Sequence, residues 1–384
     1  MTTFWGFGRP NGSVGIRNTV AVISVMDTCN PVTRRIAEAV EGTTYLPGSY
    51  IRGQLGRDRA ITLRATAGLC LNPNVYGAVV VGLEPRTTEE LAGLVAASGK
   101  PVESVVIQSS GGTIDAVATG TRLAARMVRD ASRQRRTEHP VSRLRVAVEC
   151  GGSDTTSGLA SNPSIGVVSD AVVACGGSVI ISETSEFFGA EHLFAERAES
   201  EAVRTRFVEA VETLEREIKA QGADLRGSNP TPDNIRGGLT TIEEKALGAM
   251  AKAGTSPLRS VVDYGEAPEG PGLHFMAAPA PAVESITGFA AAGCQLCLFS
   301  TGVGNPIGHP VMTIVKVSGN RNTIDTFSDN VDFDVTSVVE TGEPIDAVGS
   351  RLLDYALSVA SGELTSSEIL DVRESAISRF GQSM

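Results

Sequence analysis

Apolar residues along this chain fall into short continuous runs, and stretches with helical spacing separate them. Thr19 to Met26 (TVAVISVM) is a β-branched run of the kind buried on both faces of a sheet. Asn30-Pro31 follows, an expected N-cap with proline at the first helical position, and then an amphipathic TRRIAEAV. Ala78 to Gly82 (AVVVG) repeats the strand pattern, and Thr87 with Glu90 predicts a capping box ahead of LAGLVAA. Val102 to Ile107 is a third strand, whose loop QSSGGT opens a helix running into MVRDASRQRR. Strand, loop and helix three times over predict a parallel, doubly wound α/β layer.

The charged segment Arg133 to Pro140 (RQRRTEHP) lacks a core pattern and marks a domain boundary. Beyond it come strands at Leu144 to Glu149 and Gly176 to Ser182. Next is a long helix with one apolar stripe, Val203, Phe207, Val211, Leu214 and Ile218. Gly222 to Gly238 is polar and rich in glycine and proline, a loop long enough to be functional. A helix at Glu243 to Lys252 and strands at Ser260 to Tyr264, Leu296 to Phe299 and Met312 to Val317 complete a second α/β unit. The expectation is therefore two α/β domains, 1–138 and 139–384, with mostly parallel, doubly wound sheets. At 384 residues the chain is long enough for two or three domains at roughly 150 each.

Composition narrows the function. Hydrophobic residues at 41% and charged residues at 20% fit a soluble globular protein and exclude disordered or fibrous classes. The net charge of −11 argues against nucleic acid or an anionic membrane as partner, so an anionic substrate needs local positive charge. No signal peptide opens the sequence, no run reaches the ~18 apolar residues of a membrane span, and six unpaired-looking cysteines fit a reducing compartment. A cytoplasmic location is expected.

Glycine-rich loops end several of the predicted strands: Ser109 to Thr113 (SSGGT), Cys150 to Asp154 (CGGSD) and Ser300 to Gly308 (STGVGNPIG). At the carboxyl ends of parallel strands such loops present backbone N–H groups to an anion. None is a Walker A loop or a dinucleotide fingerprint, so no nucleotide cofactor is expected. Cys150, at a strand end before Gly-Gly-Ser-Asp, is a candidate nucleophile or soft metal ligand, against the alternative of a small buried cysteine. Glu183, Glu186, Glu191 and His192 cluster in SETSEFFGAEH after a strand and are candidate acids and bases, although first-turn carboxylates also favour a helix dipole. Lys245 reads first as a surface ion-pair lysine, with apolar neighbours that leave an inward orientation open. Cys294 and Cys297 read as core cysteines on opposite strand faces, and His139, His274 and His309 as ordinary residues.

Together, GIRN (15–18), LCLNPNVYGAVVVGL, IQSSGGT, ECGGSDTTSGLASNPSIG, SETSEFFGAEHL, NPTPDNIRGGLTTIEEKALGA and FSTGVGNPIG resemble the D-galactarate/D-altronate dehydratase family, in order, over nearly the whole chain. The resemblance implies a lyase that dehydrates sugar acids to 2-keto-3-deoxy acids with a divalent metal, usually iron. It also brings in a close branch, (2R)-sulfolactate sulfo-lyase, which expels sulfite. Many members carry a small SAF-type domain, so a separate small SAF-type subunit is an expected partner here, beside a homo-oligomeric state. Two departures stand out. Where the family has a His-Gly-Cys stretch this chain has Tyr50-Ile51-Arg52, and where it has Gly-Leu-Gly-Cys-Glu this chain has Gly82-Leu83-Glu84-Pro85. Cys29 and Cys150 remain as possible metal ligands.

The chemistry expected is removal of a proton α to a carboxylate followed by β-elimination, with an electrophile holding the carboxylate. Cys150, Asp154, Glu183, Glu191, His192 and Lys245 are the expected catalytic residues. Arg52, in place of a cysteine, is expected to grip a substrate carboxylate or sulfonate. Arg17, Asn18, Gln108, Gly112, Thr113, Gly152, Ser153, Thr240, Thr241, Thr301 and Gly302 are expected to help bind the small anionic hydroxy acid. Loss of water from a sugar acid leads, with release of sulfite as the alternative. An isomerase or epimerase that stops at the enediolate, and a non-catalytic binding subunit, are the other readings.

Overall fold

The computed structural model describes residues 2–384 except 224, 226–228, 380 and 382. Strands β1 (Thr3–Gly8) and β2 (Val14–Gly15) open the chain and form a small antiparallel sheet with β7 (Thr137–Pro140). The charged stretch read as a domain boundary therefore includes a paired strand. Between β2 and β7 lies an all-parallel sheet of β3 (Thr19–Ser24), β4 (Thr43–Leu46), β5 (Val75–Gly82) and β6 (Val102–Val106), in the order β4-β3-β5-β6. Helices α1 (Asn30–Glu38), α2 (Gly56–Leu71), α3 (Pro85–Ala96) and α4 (Thr113–Ala131) connect these strands. The expected parallel, doubly wound α/β character holds, because β-branched runs such as Val79–Val81 are buried on both faces.

Two caps differ from the sequence reading. Helix α1 follows a tight turn at Asp27–Cys29, and the Asn30 side chain instead bonds the backbone of Gly48. Helix α3 begins at Pro85, earlier than the Thr87 box would place it. The Glu84 carboxylate accepts from the amides of Arg86 and Thr87.

The second half builds a seven-stranded, all-parallel sheet in the order β10-β11-β9-β8-β12-β13-β14. Its strands are β8 (Arg145–Cys150), β9 (Ser178–Ile181), β10 (Leu258–Asp263), β11 (Gly272–Ala277), β12 (Leu296–Ser300), β13 (Thr313–Ser318) and β14 (Phe333–Asp334). Helices α5 (Asn162–Ala174), α6 (Glu191–Ala195), α7 (Glu201–Ala220), α8 (Pro232–Arg236), α9 (Ile242–Met250) and α10 (Ala282–Ala291) pack around it. The α7 stripe lies as expected, with Phe207 in an edge-on cluster with Phe187, Phe194 and Phe275. Of the loop 222–238, residues 224 and 226–228 lie outside the described residues.

The two parallel sheets share one hydrophobic core, to which α2 and α10 both contribute. A Cβ on Gly68 would lie 2.4 Å from the carbonyl oxygen of Ala291, so this helix crossing depends on the missing side chain. Buried Asn72 and Asn74 donate across the junction to the carbonyls of Ala290, Cys294, Gln295 and Val311. Cys294 and Cys297 are both buried in this core. Cys294 precedes β12, so strand alternation does not separate the pair. No helix among the described residues is long and apolar enough to cross a membrane.

Candidate active site

Strand β8 is central in the large sheet. The chain moves from it to β9 on one side, and later to β12 on the other. This reversal makes the carboxyl ends of β8 and β12 the topological switch point, where open α/β sheets hold ligands. The two glycine loops predicted from sequence meet there: the amides of Gly302 and Val303 donate to the carbonyl of Gly152 at 3.0 and 2.9 Å. Gly152 has φ +67°, and a Cβ at Gly302 would lie 2.2 Å from the Asp154 carboxyl carbon.

Asp154 is an organiser of this turn. One carboxylate oxygen accepts from the Thr156 hydroxyl and the Ser157 amide at 2.7 and 3.0 Å, and the other accepts from Asn320 at 2.7 Å. These bonds start the helical segment that becomes α5 through a π-turn at Ser157–Ser161. Beside it opens a pocket of about 200 Å³, lined by Ser153, Ser157, Asn162, Glu244 and Lys245 among others.

Lys245 points inward, not into an exposed ion pair. Thr241 caps α9 by accepting from the Glu244 amide, and one turn on the Lys245 ammonium donates to Glu186 at 2.9 Å and to Asn229 at 2.7 Å. Both charged side chains are largely buried, 12% and 7% exposed. The second Glu186 oxygen, Oε2, has no hydrogen-bond partner among the described residues. A half-used carboxylate beside an ammonium at a pocket wall is well suited to moving a proton.

Behind this pair lies a second cluster. The Lys252 ammonium contacts the Glu183 carboxylate and donates to the Cys150 sulfur at 3.0 Å, while the Cys150 thiol faces Glu183 at 3.4 Å. Glu149, the preceding residue of β8, accepts from Ser285 at 2.8 Å. All four residues are buried. One ammonium faces two carboxyl groups and a thiol, so the charge balances with Glu183 ionised and with Glu149 and Cys150 protonated. Burial and then the charge of Glu183 raise the Glu149 carboxyl well above its ordinary value, and burial pushes the Cys150 thiol up to about 12. Burial works against the Lys252 ammonium, yet its Cys150, Glu183 and Glu149 neighbours hold it above the usual lysine value. Glu183 occupies the left-handed region at φ +68°, a conformation that costs a non-glycine residue roughly 1–3 kcal/mol and is often found at functional sites.

The other predicted residues are scattered. Glu191 and His192 open the short α6, with His192 exposed. Thr301 is fully buried and its hydroxyl accepts from Gly304, while exposed Thr240 bonds Glu244. Arg17 is consumed by Glu368 and three backbone carbonyls, and Asn18 by Arg9 and Ala131. Gln108, Gly112 and Thr113 sit after β6 in the small sheet. Arg52 is exposed, hydrogen-bonded to Tyr50 at 2.9 Å, and therefore does not join Cys150. Cys29 packs into the core of the small sheet with Val22 and Val32, far in sequence and separate in core from Cys150. Among the described residues no three His, Cys, Asp or Glu side chains converge as metal donors. The donors of this chain thus do not fit the divalent metal implied by resemblance, and no step below runs through one.

Lys252 and Glu149 were missed from sequence, although each carries a signal. Lys252 is the only polar side chain in ALGAMAKAG (246–254), and Glu149 ends an otherwise apolar strand. A lone charge in such a setting is rarely buried without a partner.

The comparisons with known proteins agree with this placement. Residues 141–383 match the family described as D-galactarate/Altronate dehydratase, C-terminal, and residues 6–132 match D-galactarate dehydratase/Altronate hydrolase, second domain. The (2R)-sulfolactate sulfo-lyase subunit beta of Chromohalobacter salexigens is 39% identical, over 99% of this chain and 98% of its own length. The altronate dehydratase of Bacillus subtilis is 31% identical over 99% of this chain and 78% of its own. The galactarate dehydratase (L-threo-forming) of Escherichia coli is 30% identical over 94% and 73%.

Proposed function

The chain belongs to the D-galactarate/altronate dehydratase family, and from that premise we propose that it is the catalytic large chain of a lyase acting on a small sulfonated 2-hydroxy acid, releasing sulfite and a 2-keto acid. The observation that carries the site is the Lys245–Glu186 pair at the wall of a polar pocket on the sheet switch point. In this reading the substrate carboxylate lies against the Lys245 ammonium, and Ser153 and neighbouring loop groups hold the rest. The free oxygen of Glu186 takes the α-proton. Lys245 stabilises the enediolate charge as it forms, in a site where few waters compete. The β-substituent then leaves and the resulting enol becomes the 2-keto acid.

The leaving group favours sulfite on two grounds. The sulfo-lyase relative matches this chain over nearly its full length, whereas roughly a quarter of each dehydratase lies outside the match. Sulfite also departs without a proton, while hydroxide needs a general acid. That relative is a subunit beta, which supports a second, smaller subunit as partner, of the SAF type that the family resemblance suggests. Dehydration of a sugar acid is the second reading, supported by the altronate and galactarate dehydratase relatives, with Lys245 as the nearest proton donor.

The test is turnover of 3-sulfolactate, altronate and galactarate by the purified chain, alone and co-produced with a small partner subunit. Sulfite and 2-keto acid in equal amounts from sulfolactate support the proposal. Keto acid from the sugar acids alone moves the assignment to dehydration. Solvent deuterium in recovered substrate without keto acid indicates an isomerase, and ligand-induced stabilisation without any turnover indicates a binding subunit.

A further inference from the structure

We propose that Lys252 is a built-in cation: its ammonium fills the space a divalent metal would take between Cys150, Glu183 and Glu149, so that this cluster works without one. The sulfur of Cys150 lies 3.0 Å from Nζ, the Glu183 carboxylate is in direct contact with it, and Glu149 adds a third group to the same electrostatic cluster. A thiol and two carboxyl groups around one buried point form a mixed sulfur and oxygen set that, deprotonated, suits a transition metal. Here the positive charge at that point is covalently attached and fully buried.

The surroundings leave little room for both. The Glu183 carboxylate is already committed to Lys252 and to the Cys150 amide and thiol. A metal would have to displace the ammonium and strip the thiol proton that burial holds on. The remaining Glu149 oxygen, Oε1, has no hydrogen-bond partner among the described residues, which leaves one lone pair aimed inside the protein. The sequence departures point the same way, since Arg52 and Pro85 stand at the two cysteine positions of the family pattern. A fixed ammonium supplies one unit of positive charge with no exchange and no redox chemistry. It keeps Glu183, and through Glu186 the Lys245 wall of the pocket, in one protonation state. This consequence rests on the lyase reading, whereas the occupancy itself does not.

The occupancy is tested by metal binding, independently of turnover. The full chain, purified anaerobically, is analysed for metals and then titrated with Co²⁺ alongside Lys252→Ala, whose fold is checked by circular dichroism. The wild-type chain is expected to show no thiolate-to-cobalt charge-transfer absorption. Lys252→Ala is expected to gain that band, and Lys252→Ala/Cys150→Ser to lose it again. Iron near one per wild-type chain that disappears in Cys150→Ser would overturn the proposal. So would a folded Lys252→Ala variant that stays spectroscopically silent with Co²⁺.

Discussion

Replacing Lys252 with methionine keeps the chain length of the side chain and removes only its charge. In the folded protein the Lys252 and Glu183 side chains are 1% and 2% exposed, so the variant leaves a carboxylate buried without its ion-pair partner. Breaking a buried pair from one side costs about 3–5 kcal/mol, a large part of the roughly 5–15 kcal/mol that holds a domain together. Glu183 then relieves the cost by taking up a proton, which raises its folded pKa above that of the unfolded chain. The unfolded chain therefore binds fewer protons once pH exceeds the ordinary glutamate value. The variant loses stability as pH rises from there through the raised pKa, and is most impaired at alkaline pH. Urea unfolding followed by circular dichroism at pH 5.5 and pH 8 reads both effects. The expected loss is about 3 kcal/mol or more at pH 8 and clearly less at pH 5.5, with much of it recovered in Lys252→Met/Glu183→Gln. A loss below about 1 kcal/mol, or one that ignores pH, would refute the reasoning, because it would mean that the pair carries little energy.

Arg52→Ala should leave kcat/KM within about twofold on any substrate the chain turns over, since Arg52 is exposed and bonds only Tyr50 among its printed contacts; steady-state kinetics decide, and a loss above tenfold would return Arg52 to the site. Asp154→Ala should cost about 2 kcal/mol or more in thermal or urea unfolding, because the Thr156, Ser157 and Asn320 bonds are lost together at a helix start. His309 accepts from the amides of Val311 and Met312, and burial holds it down to about 3. The unfolded chain takes up this proton below about pH 6.5, so stability should fall by up to about 1.4 kcal/mol per unit as pH drops towards 3. The slope between pH 6 and 4 should be shallower in His309→Gln.

Most of the fold could be read from local pattern. Strands β3, β5, β8 and β12 are β-branched or apolar runs that leave no helical alternative, and α7 carries its stripe openly. Elements whose burial is set by tertiary contacts were hidden. Helix α2 has apolar and polar residues on every side because it is sandwiched between two sheets, so no single face stands out. Strand β11 (GLHFMA) is short, opens on a glycine and carries a histidine that bonds Ser260, which masks its alternation. At the site, Cys150 and Lys245 were visible because each stands beside a glycine loop or a helix cap. Arg52 and Arg17 were misleading for the same physical reason: sequence shows that a charge exists but not whether solvent or a carboxylate already satisfies it. Lys252 was the reverse case, a charge whose setting in small apolar residues marks it as internal only once its partners from β8 and the Glu183 turn are in view.

The proton chemistry assigned to the Lys245–Glu186 wall is tested most directly by Glu186→Gln on the substrate that the wild-type chain turns over. Substrate affinity is measured by calorimetry and α-proton exchange with deuterated solvent by NMR. The expected result is exchange and kcat lowered by about 10²–10⁴, with the dissociation constant changed by no more than a few-fold. Exchange that continues at the wild-type rate would place the base elsewhere and contradict the assignment.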